Sequence, residues 1–266
     1  MSQPRGVVLP TQLSGLAEPR IDPRSAVEDG EKRRPPVMRK FEVSSLAPDG
    51  GARSTHHIAP ATPLFEQMAS AFARGTLIAT PQGPIAVEDL LPGDMLDTQE
   101  FGPLELVWVG STSLVPNAMD QSPQMARLTR VMADSFGLGK PMSDVMFGPA
   151  ARILNGRPGL RELTGSAKVL TEVRDFADGM SVIDLAPPSP VRLYHLRLRH
   201  HATISAGGLW VETYHPGLNA TQTMGQNMKS LFLSFFPDIE TMSEFGALTY
   251  PRVSMEKLES LRRRLG

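Results

Sequence analysis

The chain has 266 residues, 27 basic and 28 acidic side chains, a net charge of −1 and no cysteine. So balanced a charge offers no field for nucleic acid or an anionic membrane, and the lack of cysteine excludes disulfides, thiolate metal sites and thiol catalysis. Twenty-four prolines and 23 glycines with only 6% aromatic residues favour turns and short strands over a helical bundle.

Residues 1 to 62 form a polar, proline-punctuated stretch with little periodicity, running from Pro4 through Pro35 and Pro36 to Pro60. Such a segment has too little apolar surface to offset its ordering entropy, and it reads as a disordered leader, with docking on a partner as the alternative. The N-terminus has no apolar core of a secretory signal. Nor does any run approach the roughly 20 apolar residues of a membrane helix. The expectation is a soluble chain without a transmembrane segment, cytoplasmic or exported by a route that needs no classical signal.

Thr62-Pro63 supplies an N-cap and a first-turn proline ahead of Leu64, Phe65, Met68 and Phe72, predicting a short helix. From Gly75 the pattern changes to strands: Thr76 to Thr80, the turn Pro81-Gln82-Gly83-Pro84, then Ile85 to Val87, together a tight hairpin. Val87 to Leu91 can form one helical turn, stopped by Pro92-Gly93. Met95 to Thr98, Leu104 to Val109, Gln124 to Val131 and Asp144 to Leu154 contain the next extended runs, with a late pair at Val191 to Leu198 and Thr203 to Tyr214. Trp108 and Trp210 read as core anchors, and Phe232, Phe235 and Phe236 as part of a core or a lid. Ser254 can cap a final helix whose Leu258, Leu261 and Leu265 form one stripe and whose Arg262, Arg263 and Arg264 suit the C-terminal dipole.

Residues 71 to 98 carry a pattern with no gap: Ala71-Phe72, Gly75-Thr76-Leu77-Ile78, Thr80-Pro81-Gln82-Gly83, Val87-Glu88-Asp89-Leu90 and Pro92-Gly93-Asp94. This opening resembles the start of the Hint (Hedgehog/intein) domain family, bacterial branch. A second block, Leu193 to Leu198, then His200-His201 and Ile204 to Thr213, resembles the family's closing block, with His201 at its His position. Glu212-Thr213-Tyr214-His215-Pro216-Gly217 is similar to the branch's last element, so the resemblance spans residues 71 to 217. It implies a compact, mainly β fold of short strands and hairpins. The organisation expected is a disordered arm at 1–62, the domain at 63–217 and a partly helical tail at 218–266.

The resemblance also implies a chemistry, self-cleavage or splicing. In that family a Cys or Ser at the first position attacks the carbonyl before it, and a His in the middle block assists the leaving amine. Here Ala71 stands at the nucleophile position. The middle block, Ser-Pro-Gln-His-Arg in the branch, is matched by Gly148-Pro149-Ala150-Ala151-Arg152, so Ala151 stands at the His position. With two methyl groups there, the implied role is a catalytically degenerate module with vestigial positions Ala71, Ala151 and His201. The alternative is autoprocessing near residue 70 through Ser70 or Thr76, although a one-residue slip in a strand turns a side chain to the other face.

Other candidates read as structural. His195, His200, His201 and His215 have no recognised metal-ligand spacing and read as hydrogen-bonded histidines. Asp94 reads as a turn-amide acceptor. Gly137-Leu138-Gly139-Lys140 lacks the flanking residues of a phosphate loop. No cofactor or metal is expected; a protein partner is left open.

Overall fold

The computed structural model describes residues 37–265 apart from Asp120, Leu218, Asn219, Thr221 and Thr223. Two strands open it, β1 (Met38–Leu46) and β2 (Ala52–Pro60), paired in full register from Met38↔Pro60 to Leu46↔Ala52. This corrects the expected leader, which was taken to extend to residue 62. Alternation in β1 turns Phe41 and Val43 to the inside, while the exposed, polar β2 hides the pattern. Of that leader, residues 1–36 lie outside the described residues.

Helix α1 (Pro63–Gln67) follows, with Thr62 at its N-cap and Pro63 in its first turn. The helix ends before Phe72, which belongs to β3 (Phe72–Ala73). Next come β4 (Leu77–Ile78) and β5 (Ile85–Ala86), the expected tight hairpin, and a 3-10 turn at Val87–Asp89. β6 (Met95–Thr98) and β7 (Gly102–Leu114) pair across a short corner.

The middle of the domain holds β8 (Leu128–Val131), β9 (Val145–Phe147), β10 (Arg152–Asn155), α2 (Leu160–Thr164), β11 (Val169–Glu172) and β12 (Val182–Leu185). β13 (Val191–Leu198), β14 (Thr203–Ala206) and β15 (Leu209–Glu212) complete it. The strand path runs β11-β10-β15-β14-β6-β7-β13-β3-β9-β8-β12, with every pairing antiparallel and β1 added alongside β7. The fold is mainly β, with helices α3 (Gln226–Leu233) and α4 (Met255–Leu265) in the C-terminal part. Among the described residues no helix is long and apolar enough to cross a membrane.

Two buried clusters sit on the two sides of the long strand β7. One, inside the meander, gathers Phe72, Ile78, Leu96, Leu106, Phe147, Leu196, Ile204 and Val211, and includes Ala71 and Ala151. The other joins the N-terminal hairpin and α1 to the tail through Phe41, Phe65, Met68, Trp108, Phe232, Phe235 and Phe236. Trp108 donates its indole N–H to the Phe235 carbonyl at 2.7 Å and stacks on Phe236 at 4.8 Å. Burial of each large aromatic there is worth about 1.5–3 kcal/mol. The three tail phenylalanines are thus core, as expected, whereas Trp210 is only half-buried.

Candidate functional site

The resemblance noted in the sequence would make the peptide bond between Ser70 and Ala71 the reactive one, and its surroundings decide what it can do. β3 lies between β13 and β9, and its pairing is Leu193↔Ala73 and Tyr194↔Phe72. The Ala71 N–H donates to the Tyr194 carbonyl at 2.9 Å, although it is Phe72 that pairs with Tyr194, so the ladder slips by one residue at the junction. On the other side the Ala71 carbonyl accepts from the Gly148 N–H at 2.8 Å, and the Ser70 carbonyl from the Ala150 N–H at 3.0 Å. Every polar group of the junction is satisfied by backbone, as burial requires. Ser70 and Ala71 are 1% and 0% exposed.

Gly148 explains how β9 comes so close. A Cβ built on it would sit 2.2 Å from the Ser70 oxygen and 2.8 Å from its carbon. No side chain fits there, and the serine of the branch pattern would collide with the carbonyl. At Gly148 the backbone lies flat on the Ser70 carbonyl and leaves no room for a side chain; the contact does not bear on Ala150 or Ala151.

The two hydroxyls near the junction are engaged elsewhere. Ser70 Oγ donates to the Glu66 carbonyl at 2.7 Å, closing the end of α1, and Thr76 Oγ1 donates to the Ala73 carbonyl at 2.7 Å. Ala151 is buried, and its carbonyl receives the Val173 N–H at 3.0 Å. Thus Ala71 and Ala151 belong to one apolar cluster, while Ser70 and Thr76 act as local donors.

His195 follows Tyr194 on β13, directly after the residue that pairs with Phe72 and receives the Ala71 N–H. The sequence reading held His195 to be structural and assigned the vestigial role to His201. His195 shares an Nδ1 hydrogen bond with the Gln67 carbonyl at 2.7 Å, which places the proton on Nδ1. Its Nε2 is buried with no partner among the described residues. The ring lies edge-on to Phe72 and Tyr214, at 6.2 and 5.2 Å. Burial in that aromatic setting pushes its pKa down to about 4, only partly offset by the Gln67 carbonyl and by Glu212. It is a neutral imidazole with a free lone pair, and residue 71 offers it no proton to take.

His201 lies in a buried ionic network. Its Nε2 meets Glu212 Oε1 at 2.9 Å, and its Nδ1 accepts the Thr249 N–H at 2.9 Å. Glu212 also receives Arg252 Nε at 2.8 Å and faces Arg152 Nη1 at 3.5 Å. Arg152 in turn reaches Glu172 at 3.1 Å. Burial alone would raise the Glu212 carboxyl, but Arg252, His201 and Arg152 outweigh it and hold the group at about 2. His215 accepts the Gly217 N–H on Nδ1 and meets the Gly246 carbonyl through Nε2, and burial lowers its pKa to about 4. Every member is occupied by another, so the network organises the closing block and leaves no acid or base addressed to the junction.

The remaining candidates fall into place locally. Asp94 Oδ2 accepts the Leu91 N–H at 2.7 Å, a turn role as expected. Gly137 to Lys140 forms a turn in which the Gly139 N–H meets Asp134 Oδ1 at 2.6 Å. No group of three or more His, Asp or Glu side chains suited to a metal ion occurs among the described residues.

No curated protein matches the chain. Among solved structures it is similar to the solution structure of a bacterial intein-like domain from Clostridium thermocellum, with 12% identity and a TM-score of 0.38, over 55% of this chain and 99% of that one. A family model described as Hint domain matches residues 70–218. The match begins at the sealed junction, ends just beyond the closing block and takes in more than half of the sequence, so the chain belongs to the Hint domain family.

Proposed function

We propose that this chain is a catalytically degenerate Hint domain that serves as a structural or interaction module. The observation that carries the reading is the closed Ser70–Ala71 junction: a methyl group at each of the two reactive positions and a carbonyl covered by Gly148. Acyl transfer needs a nucleophile with room to approach the carbonyl and a proton donor for the leaving amine. General acid or base help alone contributes roughly 10² to 10⁴ in rate, and the covalent route is absent altogether without a nucleophile. Neither Ser70 nor Thr76 is hydrogen-bonded to a side-chain base. The domain limits we assign are 63–217 for the family fold and 218–266 for the tail.

Intact mass spectrometry of the purified chain, incubated with and without dithiothreitol or hydroxylamine, tests this reading. A single unchanged mass is expected. Two fragments summing to the whole with a junction near Ser70 would establish autoprocessing through unconventional residues and end the degenerate-module reading.

A further inference from the structure

Between the corner joining β14 to β15 and the end of β10 lies a cavity of about 510 Å³, within the roughly 300–1,000 Å³ range of small-molecule pockets. Four segments wall it: the turn 135–140, the end of β10 with Arg157 just beyond, Phe176 at the close of the 3-10 turn Val173–Phe176, and Trp210 on β15. Close backbone contact sets the first segment against the last. A Cβ on Gly208 would lie 2.7 Å from the Gly139 carbonyl oxygen, so the turn that carries Lys140 is pressed onto the β14–β15 corner. Inside that turn the Phe136 N–H donates to the Lys140 carbonyl at 2.8 Å and the Lys140 N–H to the Gly137 carbonyl at 2.9 Å. The loop is built before any ligand arrives.

The chemistry of the wall is aromatic and cationic. Phe136, Phe176 and Trp210 are each half-buried. Phe136 and Phe176 meet edge-on with ring centres 5.2 Å apart, and the Arg157 guanidinium lies over the Phe176 ring at 5.3 Å. Trp210 touches no other ring, and its indole N–H has no hydrogen-bond partner among the described residues. Lys140 and Arg157 are exposed, and neither side chain has a hydrogen-bond or ion-pair partner among the described residues. No Asp or Glu lines the cavity, although acidic residues outnumber basic ones in the whole chain. Two unanswered positive charges beside three aromatic faces complement an anion carried on a flat ring.

We propose that this cavity binds a small aromatic phosphate monoester, with its ring on the aromatic wall and its phosphate on Lys140 and Arg157. A phosphate monoester carries about −1.5 to −2 charges at pH 7, which matches two cations, whereas a carboxylate answers only one. Stacking on Phe176 covers one face of the guanidinium and leaves its N–H edges free for a bidentate contact. Lys140 adds a point charge from a rigid turn. The sequence Gly137-Leu138-Gly139-Lys140 is no phosphate loop, and its part here is to hold that ammonium at the rim. The site uses none of Ser70, Ala71 and Ala151, so it goes beyond the degenerate-module reading and does not depend on it.

Isothermal titration calorimetry on the full-length chain tests this with 1-naphthyl phosphate as the probe. A 1:1 complex is expected with a Kd below about 1 mM, and binding at least about tenfold weaker for 1-naphthol, which lacks the charge, and for inorganic phosphate, which lacks the ring. Lys140→Ala and Arg157→Ala should each weaken the probe about tenfold, the scale of one lost charge-assisted hydrogen bond. Both side chains are exposed, so both variants keep the fold. Trp210→Leu should cost at least about fivefold through lost stacking, and Lys257→Ala, an exposed lysine outside the cavity, should change nothing. A parallel titration with AMP separates two sources of the same chemistry: a nucleotide if it binds tighter than 1-naphthyl phosphate, a simple aryl phosphate if it binds more weakly.

No heat of binding from either phosphate monoester overturns the inference. So does 1-naphthol or inorganic phosphate binding as tightly as 1-naphthyl phosphate, or an affinity that Lys140→Ala and Arg157→Ala leave unchanged. An equal loss in Lys257→Ala would reduce the effect to general surface charge and overturn it as well.

Discussion

Replacing Gly148 by alanine probes the closed junction directly. The new Cβ would lie 2.2 Å from the Ser70 oxygen, whereas ordinary contact begins at 3.4 Å, so the two backbones must separate by about 1.2 Å. The colliding atom belongs to a main chain held at both ends, so it cannot swing aside as a flexible side chain would. That separation breaks two hydrogen bonds, Gly148 N–H to the Ala71 carbonyl and Ala150 N–H to the Ser70 carbonyl. At about 1 kcal/mol each, with about 1–3 kcal/mol for overpacking, the loss is about 3–5 kcal/mol. For a domain of this size that corresponds to a fall in Tm of roughly 6–20 °C. Differential scanning calorimetry or urea unfolding measures it, with Gly225→Ala as control, since nothing lies within 4 Å of an added Cβ there. A Gly148→Ala protein within about 0.5 kcal/mol of wild type would refute the argument that the backbone is closed on the Ser70 carbonyl.

Three further outcomes follow from the same geometry. His195 has a folded pKa of about 4 against an unfolded value of 6.5, so the unfolded chain binds more protons between those values and stability falls as pH drops through that window. The term from His195 approaches about 3 kcal/mol below pH 4; urea midpoints at pH 7, 5.5 and 4.5 should decline progressively, and a His195→Gln chain that kept the full decline would contradict this. Ala71→Cys places a thiol in a fully buried position beside Ala151, where burial keeps it protonated; its mass should stay single in dithiothreitol, and cleavage at residue 70 would show that only the nucleophile had been missing. Tyr214 holds a buried hydroxyl with no partner among the described residues, and burial drives its pKa upward. Tyr214→Phe should consequently be neutral or stabilising by up to about 1 kcal/mol in thermal unfolding, and a loss above that size would point to a hydrogen bond.

The family and the strand plan were legible because turn chemistry is local. Pro92-Gly93, the Pro81 to Pro84 corner and Ser254 at the start of α4 act through adjacent atoms, and the structure shows Met95–Thr98, Val191–Leu198 and α4 where those signals set them. The hairpin β1–β2 was not legible, since β2 displays Arg53, Ser54, His56 and an exposed Ile58, and only its pairing with β1 makes it a strand. The placing of Ala71 and Ala151 in one apolar cluster follows their sequence character, whereas His195 gave no signal of its own. Its place next to Tyr194, the residue that holds the Ala71 N–H, depends on the β3–β13 pairing, and that pairing is fixed by tertiary packing. Leu265, the third member of the predicted helix stripe, lies outside the described side chains; Leu258 carries the packing.

The shared aromatic core has a consequence for any break in the chain at residue 70. Phe41, Phe65 and Met68 come from before that point, and Trp108, Phe232, Phe235 and Phe236 from after it, while Arg39 bonds the Ser113 carbonyl at 2.7 Å across the same divide. A scission there would be a nick in a folded body, leaving two pieces clasped by several buried rings and a strand pairing. Gel filtration and native gels would report an unchanged particle, and only denaturing separation would reveal two chains. The hairpin that precedes the junction behaves as a structural stave of the domain, and severing one bond does not release it.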